Sequence, residues 1–178
     1  MFDELNLQKI AIVGPESTGK STMALHLAKT LKSICVPEYA RYYCQHLDRN
    51  YTLQDEVNMF YGQIALEEAL ISTDPKLMIC DTTILTVKIW CDHLFKQTPR
   101  EVTNEISNRK YDFYLLMDID LPWQDDPLRD FPNEREYFLG IWKTELETLG
   151  AKYQVINGRG NDRLEKGVKA AKNYLGIK

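Results

Sequence analysis

The sequence predicts an α/β fold, a doubly wound parallel five-stranded sheet with helices on both faces. Three observations predict it. Short apolar runs alternate with helically spaced stretches along the whole chain. The first such pair brackets Gly14-Pro15-Glu16-Ser17-Thr18-Gly19-Lys20-Ser21, which satisfies G-x-x-x-x-G-K-[ST] at every fixed position, the pattern of a phosphate-binding loop. Parallel strands joined by right-handed crossovers make the doubly wound topology the default. The 178 residues suit one domain over 1–178, able to bury roughly 70% of its unfolded surface.

The first strand, 9–13, is short, apolar and β-branched, and the helix at 20–33 spaces Met23, Ala24, Leu27, Ala28 and Leu31 on one face. Between them the loop's N–H groups and the positive end of the helix dipole form an anion site. Gly14 and Gly19 let the backbone wrap closely, and Glu16, Ser17, Thr18 and Thr22 complete the expected contacts with ATP. Lys20 would bring a point charge to the β- and γ-phosphates, and Ser21 would ligate the accompanying Mg2+.

A second apolar run at 33–37 leads into Glu38-Tyr39-Ala40-Arg41-Tyr42-Tyr43, a polar and aromatic cluster at the strand end where ligands gather in an open parallel sheet. It also reads as a helix cap with surface tyrosines. The stretch 52–72 is a helix with Val57, Phe60, Ile64, Leu66, Ala69 and Leu70 on a core stripe, stopped by Asp74-Pro75. A third strand, 77–81, ends in Asp81 and is followed by Thr82 and Thr83. A carboxylate there can hold a metal-bound water or accept a proton, or it can cap the helix at 84–95, which carries Thr86 and Trp90 on one face. A polar helix near 100–108 precedes the fourth strand, 111–117.

Between 118 and 132 the pattern breaks, with three prolines and five aspartates, and the segment 118–135 is expected to be a mobile lid. The helix at 134–149 puts Tyr137, Phe138, Ile141, Trp142, Leu146 and Leu149 at core spacing, with Arg135 in its first turn and Gly150 as stop. The fifth strand is 153–156. The turn at 157–162, including Gly158, lies near where a purine base would rest or is equally just a connection, and the last helix runs over 163–175.

Hydrophobic residues form 44% and charged residues 27% of the chain, which excludes disorder and fibrous structure. A net charge of -4 without a basic block argues against a nucleic-acid polymer as partner. No apolar run is long enough for a bilayer, the acidic start is unlike a secretory signal, and a cytoplasmic protein without membrane contact is expected. Cys35, Cys44, Cys80 and Cys91 contain no C-x-x-C pair and read as reduced thiols.

The set GPESTGKS (14–21), EYAR (38–41), CDTT (80–83) with Thr86 and Trp90, and YDFYLLMDIDLPWQDDPLR (111–129) resembles the ribosylnicotinamide kinase domain of NadR-type proteins over nearly the whole chain. The resemblance implies a P-loop kinase fold that moves the γ-phosphoryl group of ATP to the 5′-hydroxyl of nicotinamide riboside. NadR-type proteins carry an adenylyltransferase domain before the kinase. With the first strand so near residue 1, this chain is expected to lack it and to stop at the mononucleotide.

A pyridinium acceptor calls for aromatic faces and carboxylates. Tyr39, Tyr42, Trp90 and Trp123 supply the former, Glu38, Asp81 and Asp126 the latter, with Thr82 and Arg41 beside them. Either Glu38 or Asp81 would orient and deprotonate the acceptor hydroxyl, and Asp81 would also serve the metal with Ser21. Arg129 and Arg135 would arrive with the lid and balance transition-state charge. Two rivals stay open: another nucleoside or nucleotide kinase on the same scaffold, and a switch ATPase acting on a partner. A monophosphate acceptor would want more arginines near Glu38 than Arg41 and Arg49.

Overall fold

The centre of the fold is β1 (Gln8–Val13), whose last four residues are fully buried. Seen in a computed structural model that describes residues 7–126 and 128–177, it is flanked by β3 (Leu77–Asp81) and β4 (Phe113–Met117), with β2 (Ile34–Val36) and β5 (Tyr153–Ile156) at the edges. The order is β2-β3-β1-β4-β5 and every pair is parallel. Near-continuous Ile, Val, Leu and Met runs produce this because a parallel sheet is covered on both faces.

Alternate residues of the central strands serve opposite layers. Ile10, Ile12, Leu115 and Met117 meet α1 (Lys20–Leu31) and α7 (Gly160–Leu175). Ala11, Val13, Tyr114 and Leu116 meet α4 (Leu85–Trp90) and α6 (Arg135–Thr148). The other helices are α2 (Tyr39–Cys44), α3 (Leu53–Ile71) and α5 (Arg100–Asn108). The doubly wound parallel sheet is therefore as expected, and its carboxyl edge collects Gly14, Glu38, Asp81 and Asp118.

Three core readings need correction. In α3 the buried residues are Asp55, Glu56, Met59, Phe60, Gln63 and Glu67, while Ala69 is exposed. Polar side chains are admitted where a partner exists: Glu67 receives Tyr111 Oη at 2.6 Å and Arg109 Nη1 at 3.2 Å. In α6, Phe138, Leu139, Trp142 and Leu146 are buried, whereas Tyr137 and Leu149 are 55% and 38% exposed, because the contact stripe is narrower than the apolar stripe. The helix after β3 is not uniformly α, since Cys91–Phe95 form a π-helical turn.

Residues 118–134 form no helix or strand among those described; Pro127 lies outside them. All four cysteines are free thiols. Among the described residues, no helix is long and apolar enough to cross a membrane.

Candidate nucleotide and acceptor site

The loop after β1 is shaped by positive φ at Gly14 (136°), Ser17 (56°) and Gly19 (79°). A Cβ on Gly14 would lie 2.8 Å from the Met117 carbonyl oxygen, so only glycine lets the loop leave the sheet beside β4. Thr18 Oγ1 and Lys20 Nζ both donate to the Pro15 carbonyl, at 2.8 and 2.9 Å. Helix α1 starts at Lys20 without a side-chain cap and without an acid in its first turn. Its first amides are left for an anion.

A cavity of about 520 Å3 opens from this loop and extends between α2, α3, α4 and the 118–134 segment. At the loop end, Glu38 stands at the N-cap position of α2 but makes no cap hydrogen bond. Burial raises its pKa, opposed by Lys20, Arg41 and Arg129, and the nearby Asp81 raises it further. Asp81 ends β3 and is 5% exposed. Burial raises its pKa too, while a hydrogen bond from Ser21 and the charges of Lys20 and Arg41 oppose the shift. Its Oδ1 is buried without a hydrogen-bond partner among the described residues. The capping role falls elsewhere, to Thr83 Oγ1, which accepts from the Leu85 N–H at 3.3 Å. Asp81 therefore keeps an oxygen for chemistry. Thr82, at φ 70°, pairs its hydroxyl with that of Thr86.

The 118–134 segment is tied to the phosphate loop. Ser17 Oγ accepts from the Gln124 N–H at 2.9 Å and from Arg129 Nη1 at 3.3 Å. The Glu16 carboxylate, whose pKa burial raises, accepts from the N–H groups of Asp130 and Phe131, both at 3.2 Å. Arg135 donates to the carbonyls of Leu121 (2.9 Å) and Ser17 (3.5 Å). Arg41 Nη1 reaches Asp126 Oδ2 at 3.1 Å, and Phe131 stacks on Trp90 with centroids 5.4 Å apart.

The cavity wall thus contains Gly14, Glu16, Ser17, Thr18, Gly19, Lys20, Ser21, Thr22, Glu38, Arg41, Thr82, Trp90 and Arg129, with Asp81 set behind Ser21. Besides Asp81, six expected residues stand outside the wall, Tyr42 among them at 61% exposure. The Tyr39 ring lies on Gly62, where a Cβ would sit 2.0 Å from its Cε1. Trp123 does not line the cavity: its Nε1 donates to Asp125 Oδ1 at 2.9 Å and the Arg135 guanidinium lies 5.8 Å from its ring. Asp126 holds Arg41 and Arg129, and Arg135 acts on backbone. Gly158 donates its N–H to Asp120 and offers its carbonyl to Arg163 Nη1 at 3.1 Å.

Arg163, a scattered cation to which the sequence assigns no site role, is 4% exposed and also donates to the carbonyls of Thr18 (3.0 Å) and Asp118 (2.8 Å). It clamps the loops after β1, β4 and β5 together. Glu56, Tyr51 and Met59 line the far end of the cavity as well. The structure shows a capping box at Thr52–Asp55, and Glu56 was missed because an acid in a helix's first turn normally marks a solvated dipole partner.

A family described as AAA domain matches residues 9–163. The chain belongs to that family. It is 29% identical over 149 residues to the trifunctional NAD biosynthesis/regulator protein NadR of Escherichia coli, covering 79% of this chain and 36% of that protein. The chain therefore spans about a third of the length of its curated relative. Crystal structures of NadR protein in complex with NR and with NAD and AMP-PNP superpose with TM-scores of 0.82 and 0.78, at 20% identity in both cases. Each covers 97% of this chain, against 52% and 50% of the NadR chains. Thymidylate kinase from Ehrlichia chaffeensis follows at 0.68 and 14% identity, with 96% of this chain and 99% of that one covered. The fold is a P-loop kinase fold.

Proposed function

We propose that the chain transfers the γ-phosphoryl group of ATP to the 5′-hydroxyl of nicotinamide riboside, giving nicotinamide mononucleotide. The observation that carries this is the composition of the cavity beyond the phosphate loop. Three arginines line it and each is paired with an acid, Arg41 and Arg129 with Asp126 and Arg49 with Asp55, while Glu38 and Glu56 face the space. Such a compartment suits a neutral or cationic nucleoside and disfavours a nucleotide acceptor, whose phosphate would need a cation. The likeness to NadR over most of this chain supports the same acceptor.

In this reading Lys20 exchanges the Pro15 carbonyl for a phosphate oxygen. Glu38 accepts the proton of the ribose hydroxyl, a role that its raised pKa suits, with Asp81 as the competing base. The donor set also fits magnesium: Ser21 would hold it with Asp81, whose buried Oδ1 lacks a partner. Bound there, magnesium would neutralise phosphate charge during the transfer. The 118–134 segment acts as a lid, bringing Arg129 and Arg135 against the loop and excluding water that would otherwise hydrolyse ATP.

The test is incubation with magnesium ATP and a nucleoside panel, with products identified by mass spectrometry. Nicotinamide mononucleotide should form in step with ADP. A phosphorylated product from a different nucleoside alone, or ADP with none, would overturn the acceptor assignment, the latter in favour of an ATPase or switch.

A further inference from the structure

Asp55 and Glu56 are neighbours in the first turn of α3, and each is 2% exposed. Asp55 is saturated: it receives Arg49 twice, at 2.7 and 3.0 Å, Tyr43 Oη at 2.8 Å and the Thr52 N–H at 2.7 Å. These partners hold its pKa far below the usual carboxylate range, with Arg49 the leading cause. Glu56 lines the cavity, and only burial and the charge of Asp55 act on its ionisation. Among the described residues, no ion pair or hydrogen bond reaches its carboxyl.

The groups around that carboxyl do not neutralise it. From α2 comes Cys44, its Sγ 3.7 Å from Met59 Sδ, and from the π-helical turn comes buried Cys91. Before α3 stands Tyr51, whose hydroxyl donates to Asp130 at 2.9 Å. Arg49 is spent on Asp55, and Lys20 and Arg129 act on Glu38 instead. A buried acid facing an internal space without a partner is completed when a ligand brings positive charge.

We infer that Glu56 is the specificity-determining residue of the acceptor pocket, its carboxylate receiving the positive charge of a cationic heterocyclic base so that such a nucleoside is preferred over a neutral one. This rests on the kinase reading for the identity of the pocket. Two ends of the nucleoside are then read by two acids, the hydroxyl by Glu38 and the base by Glu56. A consequence follows for protons. Burial pushes the Glu56 carboxyl up to about 8, so it is largely protonated at pH 7, and a bound cation that favours the carboxylate expels that proton.

Calorimetric titration of the whole chain with nicotinamide riboside and with uridine, without ATP, in two pH 7 buffers of different ionisation enthalpy reads this directly. Nicotinamide riboside should release a sizeable fraction of a proton and uridine none. In Glu56→Gln the release should vanish, and kcat/KM for nicotinamide riboside should fall by about 10- to 100-fold while that of a neutral nucleoside moves less than about 3-fold. Glu56→Asp, which keeps the charge at shorter reach, should lie between. Proton-free binding by the wild type, or an unchanged preference in Glu56→Gln, overturns the inference. Binding with proton release but without phosphorylated product would sink the kinase reading and leave this inference standing.

Discussion

The two ends of the cavity are built from different material. At the phosphate end the wall is mostly backbone, bent by Gly14, Ser17 and Gly19 into left-handed conformations and completed by the first turn of α1. At the acceptor end it is side chain: Glu38 and Cys44 near α2, Glu56 and Met59 from α3, Trp90 from α4, and Tyr51 from the connection. A backbone wall binds whatever carries phosphate and has little freedom to change. A side-chain wall chooses among acceptors and can be retuned by single substitutions.

The largest effect is expected at the one charged side chain the phosphate end cannot replace. Lys20→Ala should lower kcat for ATP turnover by about 100- to 1000-fold. Thermal melting should move little, because among the described residues Nζ hydrogen-bonds the Pro15 carbonyl alone and otherwise acts through its charge on Glu16, Glu38 and Asp81. A variant that kept half its turnover would show that the loop amides suffice, and would erase the contrast between the ends.

Next comes the boundary between them, where Glu38 and Asp81 compete for the proton. Glu38→Gln should cut turnover by about 100- to 10,000-fold and spare ATP binding, whereas Asp81→Asn should weaken the magnesium dependence first. The pH profile separates them. Both groups have raised pKa values, so activity carried by the ionised form is lost as pH falls, at a higher pH than an ordinary carboxylate would give. If Glu38 is the base, Glu38→Gln loses this acid limb and Asp81→Asn retains it. The reverse pattern would move the base to Asp81.

The same contrast explains what could be read from the sequence. Backbone geometry leaves a local signature, so the phosphate loop and the five strands were legible in short stretches. The acceptor wall is assembled from residues tens of positions apart, and its polarity runs against pattern. Glu56 sits where surface acids usually sit, and Arg163 looks like one scattered cation until three loops converge on it. Trp123 and Tyr39 failed to reach the cavity for a related reason. Nothing in spacing reveals that Arg135 and Asp125 contact the one, or that Gly62 receives the ring of the other.

The smallest effect should come from the outermost contact, the Arg41–Asp126 pair across the acceptor mouth. Arg41 is 40% exposed, so the 3.1 Å pair adds less than about 1 kcal/mol to stability. Its value lies in holding the 118–134 segment near α2. Arg41→Ala should therefore raise KM for the acceptor a few-fold and leave melting nearly unchanged, and Asp126→Ala should match it, with no further loss in the double variant. Because Arg41 also lowers the pKa values of Glu38 and Asp81, its loss should shift the acid limb of activity upward in pH, while Asp126→Ala should shift it the other way. Equal KM effects with opposite pH shifts would separate closing the pocket from tuning its base. An Arg41→Ala variant with an unmoved acid limb would confine Arg41 to the closing role.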